Sequence, residues 1–129
     1  MILDTTFLVD VLRGSGEVGE LIEELDAEGT PFVSSVTVME LWEGIHRADA
    51  TDAERAAVEE LLGEIDELAF DRDCGTVAGE ISATLGSEGE PIDPTDVMIA
   101  ATALVHERPV VTRNVGHFDR IDGVTVVSY

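Results

Sequence analysis

The feature that most constrains the fold is an alternation of two kinds of segment along the chain. Short runs rich in branched apolar residues, each too short for a helix, predict β-strands. Longer segments between them repeat apolar residues with the 3.6-residue period of a helix. Alternating strands and helices favour an α/β domain with a mainly parallel sheet and helices on both faces. The predicted strands are Met1–Leu3, Pro31–Val33, Val110–Thr112 and Val124–Val127.

Six helical segments can be placed between these strands, and the first begins at Thr5 and Thr6, directly after Asp4. One is expected to begin after Ser34 or Ser35. Another, in DPTDVMIAATALVHE, is apolar on nearly every face, which predicts a core helix, and Thr95 is predicted to cap it. The preceding SEGEPIDP, which contains Asp93, is predicted to be a loop. The remaining helices are predicted over residues 16–29, 52–68 and 75–86. The first has an apolar stripe at Val18, Leu21, Ile22 and Leu25. The stripe of the second runs to Ile65 and Leu68.

The length of 129 residues fits a single domain over residues 1–129. A hydrophobic fraction of 44% is ordinary for a globular protein, so the high charge does not predict disorder. The longest apolar run, VMIAATALV, is shorter than the roughly 20 residues that span a bilayer. One cysteine, Cys74, fits a reducing compartment. We therefore expect a cytoplasmic protein without a membrane segment.

The charge of the chain is strongly one-sided. It has 28 acidic residues against 7 basic ones, all of them arginine, and a net charge of −21. Such a surface repels polyanions in dilute buffer. The repulsion is removed at about 1 M salt, where the Debye length falls to about 3 Å. An acidic, lysine-free surface on an ordinary core indicates adaptation to high intracellular salt, the alternative being an acidic protein with a basic partner.

Among so many acids, only those in apolar surroundings are informative. Asp4 ends the first predicted strand, Glu40 lies within VTVMELW, and Asp96 begins DVMIAATAL. Each has a structural alternative, because Asp4 could cap the next helix, Glu40 could be half exposed, and Asp96 could satisfy the helix dipole. Gathered at strand ends and helix starts, however, such carboxylates cannot all ionise without a cation. Mg²⁺ suits oxygen ligands, whereas three scattered histidines and one cysteine offer no zinc spacing.

Four stretches carry a family resemblance across nearly the whole chain. LDTTFLVD, SSVTVMELWEG, DVMIAATAL and VVTRNVGHFDRIDGVTV resemble, in that order, the PIN-domain ribonucleases, and the nearest branch is the VapC toxins. The resemblance implies a PIN-like three-layer α/β/α sandwich with a mainly parallel central sheet. It also implies metal-dependent RNA cleavage, a homodimer and a partner antitoxin.

Carried over position by position, the family's first three acids match Asp4, Glu40 and Asp96. The fourth position departs from the family, because Asn114 stands where many members have an acid. Asn114 could still offer a carbonyl oxygen to a metal, or Asp119 could supply the missing charge from further away. Thr112, like Thr5 and Thr6, could orient waters.

The resulting hypothesis is a Mg²⁺-dependent endoribonuclease, with Mn²⁺ as a possible substitute. Asp4 and Asp96 would be the main metal ligands, and Glu40 would hold a water or act as general base. Water as nucleophile would leave a 5′-phosphate and a 3′-hydroxyl. The candidates for contact with phosphate are Arg13, Arg113 and Arg120, together with Arg47, for which ion pairing with the surplus acids is the favoured alternative. The aromatic candidates for stacking on bases include Phe118 and Trp42, although Trp42 is expected to belong to the core.

Three other readings compete with this hypothesis. Haloacid-dehalogenase phosphatases and response-regulator receivers also gather aspartates at strand ends, but both need a lysine, which this chain lacks. A non-catalytic PIN-like module that binds RNA or protein is favoured by the loss of the fourth acid. A purely structural protein with a halophilic surface would lose nothing but solubility when Asp4 and Asp96 are replaced.

Overall fold

The computed structural model describes residues 1–14, 24 and 29–129. Within these residues, five strands form one sheet in the order β3-β2-β1-β4-β5, and every neighbouring pair is parallel. The register places Ile2 opposite both Phe32 and Val110. The strands are β1 (Ile2–Leu3), β2 (Phe32–Ser34), β3 (Asp66–Leu68), β4 (Val110–Thr112) and β5 (Val126–Ser128).

Most of the described helices begin at a polar residue whose side chain accepts a hydrogen bond from a backbone N–H of the first turn. Asp4, Ser34, Thr51, Asp71 and Asp93 serve the first five helices in this way. The helices are α1 (Thr5–Leu12), α2 (Ser35–Arg47), α3 (Asp52–Gly63), α4 (Arg72–Ser87), α5 (Pro94–Val105) and α6 (Val115–Phe118).

Alternate strand residues face opposite sides of the sheet and build two separate cores. Ile2 and Val110 pack with α4, α5 and α6 on one side. Leu3, Val33 and Val111 pack with α1, α3 and the C-terminal half of α2 on the other. The expected α/β/α sandwich with a parallel central sheet is therefore confirmed.

Three details differ from the sequence prediction. The helix predicted over residues 52–68 ends at Gly63, and Asp66–Leu68 forms the edge strand β3. The cap of α5 is Asp93 rather than Thr95, because the Asp93 carboxylate accepts the backbone N–H of Thr95 at 3.2 Å. The helix predicted over residues 75–86 is longer and covers Arg72–Ser87. The helix predicted over residues 16–29 lies almost wholly outside the described residues.

The strand order reverses direction at β1. From β1 the chain runs to β2 and β3 on one side, and then crosses back to β4 and β5 on the other. In parallel α/β sheets, the carboxyl ends of the strands at such a reversal are where ligands bind. The crevice between the ends of β1 and β4 is therefore the expected place for a functional site. No helix in the described parts of the chain is both long and apolar enough to cross a bilayer.

Candidate active site

The three acids singled out from the sequence meet at this carboxyl edge. Asp4 directly follows β1, Glu40 lies on α2, and Asp96 lies in the first turn of α5. The negative charge of Asp96 reaches both of the others and helps to raise their pKa values. Three elements distant in sequence thus bring carboxylates within electrostatic range of one another.

Asp4 is almost completely buried, with 1% of its surface exposed. Its Oδ1 accepts the Thr6 hydroxyl at 2.7 Å and the backbone N–H of Phe7 at 3.0 Å, while Oδ2 accepts the Thr112 hydroxyl. Asp4 therefore does cap α1, as one alternative foresaw. Burial nevertheless raises the pKa of the Asp4 carboxyl, although these hydrogen bonds favour its ionised form.

Glu40 is half-buried and is held at both oxygens. The Thr5 hydroxyl donates to Oε1 at 2.7 Å, and the Thr95 hydroxyl lies 3.2 Å from Oε2. Burial raises the pKa of Glu40, and the charges of Asp96 and Asp93 raise it further. A carboxylate oriented by hydroxyl contacts, with an increased affinity for protons, is suited to act as a general base.

Asp96 pairs with a histidine that the sequence analysis did not assign to the site. Its Oδ2 lies 2.7 Å from Nδ1 of His117, and its side chain is 14% exposed. Burial raises the pKa of Asp96, while the hydrogen bond and charge of His117 act in the opposite direction. Asp96 therefore does more than satisfy the dipole of α5.

The donor chemistry fits a hard cation, but the acids do not form a complete cage. Within the described residues, no group of three or more His, Cys, Asp or Glu side chains is placed to ligate one ion together. Mg²⁺ commonly binds through one or two carboxylates and keeps several waters. Asp4 and Asp96 match that requirement in number and ligand type, and the charge of Asp96 helps to raise the pKa of Asp4.

The structure brings some of the remaining predicted residues to the acids. Thr5 contacts Glu40, and Thr112 contacts Asp4. Asn114 comes next to the site through its backbone N–H, which donates to the Thr112 hydroxyl at 2.9 Å. Arg113 is exposed, and its backbone N–H points to the Thr6 hydroxyl at 3.5 Å.

Other predicted residues lie further out. Asp119 is exposed at the end of α6. Arg13 is exposed at the end of α1 and shares a surface groove with Glu40. Arg120 lines a different groove, together with Glu80 and Thr84 of α4. Phe118 is fully buried, so the suggestion that it stacks on bases is wrong.

Sequence reasoning missed three side chains near the acids. Thr95 and His117 each contact one of the three carboxylates, and Asp10 is a further buried acid on α1. Asp10 had a readable signal, because it interrupts the apolar run FLVDVL just as Glu40 interrupts VTVMELW. The contacts of Thr95 with Glu40 and of His117 with Asp96 had none, since they arise only from the folded arrangement.

The chain matches the model of a known protein family over nearly its whole length. The model of the PIN domain matches residues 1–124. The chain belongs to the PIN domain family. The resemblance read from the four motifs is therefore confirmed.

Its relatives include named VapC ribonucleases. The tRNA(fMet)-specific endonuclease VapC of Shigella flexneri is 35% identical over 97 residues, which cover 75% of this chain and 74% of that protein. Ribonuclease VapC19 of Mycobacterium tuberculosis is 32% identical over 118 residues, covering 91% and 90%. Within the PIN domain family, the chain thus stands with the VapC ribonucleases.

Solved structures agree with this placement. DNA-bound VapBC from Salmonella typhimurium matches with a TM-score of 0.89 and 30% identity, over 98% of this chain and 96% of that one. VapBC2 from Rickettsia felis, bound to a DNA fragment, gives a TM-score of 0.92 over 99% and 97%. At 22% identity, the second match supports the fold alone.

Proposed function

We propose that this protein is a Mg²⁺-dependent endoribonuclease toxin of the VapC kind, with Mn²⁺ as a possible substitute. The observation that carries the proposal is the meeting of Asp4, Glu40 and Asp96 at the carboxyl edge of β1 and β4, with the pKa of each raised by burial. Membership of a family whose named relatives are ribonucleases supports the choice of substrate.

Each acid has its own part in this mechanism. Asp4 and Asp96 would hold the metal ion, which when bound lowers the pKa of water and neutralises charge on a phosphate. Glu40 accepts the proton of the attacking water, with Thr5 and Thr95 fixing the direction of its carboxylate. Arg113, exposed beside the site, contacts a phosphate oxygen.

The products follow from water as the nucleophile. Attack on phosphorus breaks the bond to the 3′ oxygen, so the expected ends are a 5′-phosphate and a 3′-hydroxyl. A 2′,3′-cyclic phosphate would instead require the neighbouring 2′-hydroxyl to attack. The chemical state of the ends therefore distinguishes the two routes.

The test is cleavage of end-labelled RNA in molar KCl, with Mg²⁺ or Mn²⁺ compared with EDTA. We expect metal-dependent cutting that Asp4→Ala and Asp96→Ala abolish and that Asp66→Ala leaves intact. Asp66 is a suitable control because it is exposed at the amino end of the edge strand β3, opposite the carboxyl edge that carries the acids. Cutting that survives both active-site substitutions would contradict the proposed site.

A non-catalytic PIN-like module that binds RNA or protein is the second candidate. Two observations favour it: Asn114 replaces an acid, and within the described residues no three ligating side chains are preassembled around one point. Absence of cleavage by a folded, metal-loaded protein free of antitoxin, on several classes of RNA, would establish this alternative.

An antitoxin is the proposed protein partner. A groove of about 470 Å³ between α1, α2 and α3 reaches Glu40, so a helix seated there would block the acid that accepts the proton. The apolar side chains Leu41 and Ile45 line this groove, while Leu21 and Leu25, which the sequence also offers for such a groove, lie outside the described residues. The solved matches named VapBC support a partner of this kind.

Gly44 provides a direct test of that groove. It lines the groove, and a Cβ added there meets no atom within 4 Å, so a side chain can begin at this position without a clash at Cβ. Gly44→Gln should keep cleavage but lose inhibition by the cognate antitoxin. Gly63→Gln, equally open and outside the groove residues, should keep both. Equal inhibition of the two variants would exclude the groove.

We also propose a homodimer and a cytoplasmic location. The groove between α1, α2 and α3 is open to a second copy of the chain as well as to an antitoxin. Light scattering at high salt decides the point, because a mass near 13.8 kDa would identify a monomer. The proposed cytoplasmic location rests on cellular RNA being the proposed substrate.

A further inference from the structure

Asp10 is a buried carboxylate that no step of the proposed mechanism uses. It lies on α1 and is 8% exposed. Its Oδ2 accepts the Tyr129 hydroxyl at 2.7 Å and lies 3.3 Å from Nη1 of Arg113. The Tyr129 ring packs edge-on against Phe7, with centroids 5.1 Å apart. Asp10 is therefore held by Tyr129 on one side and faces a guanidinium on the other.

The same face of α1 holds both ends of Arg113. Thr6 and Asp10 are four residues apart, so they lie on one side of the helix. Thr6 faces the backbone N–H of Arg113, and Asp10 faces its guanidinium. Because Thr6 also donates to Asp4, the position of Arg113 is tied to that of the acid site.

Most N–H donors of the Arg113 guanidinium remain available to a ligand. The side chain of Arg113 is 57% exposed, whereas that of Asp10 is only 10% exposed. Arginine has five N–H donors, and the contact with Asp10 involves one nitrogen. A long side chain fixed before binding loses less conformational freedom when it meets a ligand.

We propose that Asp10 and Tyr129 are positioning residues that hold the Arg113 guanidinium beside the acid site, where it receives a phosphate of the RNA backbone. This inference rests on the proposed ribonuclease function. Burial raises the pKa of the Tyr129 hydroxyl, so Tyr129 remains a hydrogen-bond donor to Asp10 at neutral pH.

The test is steady-state cleavage of short single-stranded RNA by Asp10→Asn over a series of KCl concentrations at which circular dichroism is unchanged. Asparagine keeps the size of the side chain and removes its charge. We expect KM to rise about threefold with kcat nearly unchanged, as for loss of an exposed charge contact. The slope of log(kcat/KM) against log[KCl] should flatten by up to about 0.7, the value for one phosphate contact on a single strand.

Three variants separate positioning from general effects. Arg113→Ala should reproduce the change, and adding Asp10→Asn to it should make no further difference. Arg113→Lys, which keeps the charge, should restore much of the salt slope. Glu43→Gln also removes one negative charge and breaks an exposed pair with Arg47 at 2.8 Å, so it serves as the matched control and should change nothing.

The outcomes distinguish this inference from the function on which it rests. If the native chain and Glu43→Gln show no metal-dependent cleavage, the ribonuclease function fails and the inference with it. If they cleave, but Asp10→Asn only lowers the Tm and leaves KM and the salt slope unchanged, Asp10 is merely structural. A fall in KM would also overturn the inference, since it would mean that Asp10 acts by repelling RNA.

A second variant covers the case in which Asp10→Asn does not fold. Tyr129→Phe keeps the ring against Phe7 and removes only the hydroxyl that fixes Asp10. It should raise KM in the same direction by a smaller factor and show no further effect in the Arg113→Ala background. An unchanged KM in a folded Tyr129→Phe would count against the positioning role.

Discussion

Burial of the ionised Asp4 carboxylate lowers the stability of the fold but places an acid in the candidate site. Its oxygens accept hydrogen bonds from Thr6, Phe7 and Thr112, yet burial still raises its pKa. The ionised carboxylate therefore makes the folded protein less stable than a neutral group of the same shape would. Such a cost is expected where a buried acid serves a ligand.

Asp4→Asn should therefore be more stable than the native chain at neutral pH, although it should be inactive. Between the ordinary carboxyl pKa of 3.8 and the raised value of folded Asp4, the native state binds more protons than the unfolded state. Stability thus falls as pH rises through that interval, and the full cost is present above it. Asparagine caps a helix as well as aspartate, but its amide nitrogen cannot accept the Thr112 hydroxyl as Oδ2 does, so we expect only a small rise in Tm at pH 7.

The Tm difference should shrink as the pH falls below the raised pKa of Asp4, because the native carboxyl is then protonated. Asp119→Asn is the matched control, since Asp119 is exposed at the end of α6 and should show no such dependence. A neutral-pH Tm for Asp4→Asn below that of the native chain would show that the charge is compensated.

Individual acids were readable from the sequence when their neighbours were apolar. That filter found Asp4, Glu40 and Asp96, and it should also have found Asp10 in FLVDVL. The pairing of His117 with Asp96 could not be foreseen, because it depends on how α6 packs against α5. Apolar neighbours in the sequence identify an acid that the fold is expected to bury, but they do not identify the side chain with which that acid pairs.

At the scale of elements, the start of α5 joins a helix cap to the site. The Thr95 hydroxyl lies 3.0 Å from Asp93 Oδ1 and 3.2 Å from Glu40 Oε2. A hydroxyl has one hydrogen, so these two carboxylates share Thr95. The first turn of α5 thus helps to set the orientation of the Glu40 carboxylate.

Asp93→Ala should therefore affect both stability and activity. Loss of the cap should reduce the free energy of unfolding by about 1 kcal/mol, measured by denaturant titration. The pH profile of kcat should also shift, because the Asp93 charge raises the pKa of Glu40 and its removal lowers that pKa. The acidic limb of the profile should move to lower pH.

Thr51→Ala is the matched control for the loss of the Asp93 cap. Thr51 is an equally exposed cap, accepting the backbone N–H of Glu54 at 3.2 Å at the start of α3. It should cost similar stability and leave the pH profile unchanged. An unshifted profile in both variants would remove the proposed link between Asp93 and Glu40.

Helices and strands were predicted correctly where their apolar pattern was long. The long apolar stripes of α2 and α5 gave their helices correctly, whereas three-residue β3 was read as the end of a helix. The sequence of β3 is Asp-Glu-Leu, and its first two residues are exposed at the edge of the sheet. Charged edge strands discourage pairing with other chains and lack the apolar alternation of inner strands.

For the whole molecule, the net charge of −21 is the dominant electrostatic property. At low salt it repels RNA and also repels itself, which destabilises the compact state. Both effects are weakened when the Debye length falls from about 30 Å at 0.01 M to about 3 Å at 1 M salt. We therefore expect a protein that folds and cuts best in molar KCl.

The Tm should rise by at least about 10 °C between about 0.01 M and about 1 M KCl, as repulsion between carboxylates is screened. Differential scanning calorimetry over the KCl series measures this directly. A variant with Glu59, Glu60 and Glu64 on and beside α3 changed to Gln should depend less on salt, because these exposed acids contribute to the repulsion. A flat Tm across the series would contradict adaptation to salt and favour a basic partner.

The sheet order also determines when the acid site can exist. The Thr112 hydroxyl and the Asp4 carboxylate are 108 positions apart in the chain, and the partner of Asp96 is His117. A ribosome that makes this protein must therefore complete nearly all of it before these contacts form. An unfinished chain still attached to its ribosome would carry Asp4 without its neighbours, and so would spare the messenger and transfer RNAs around it during its own synthesis.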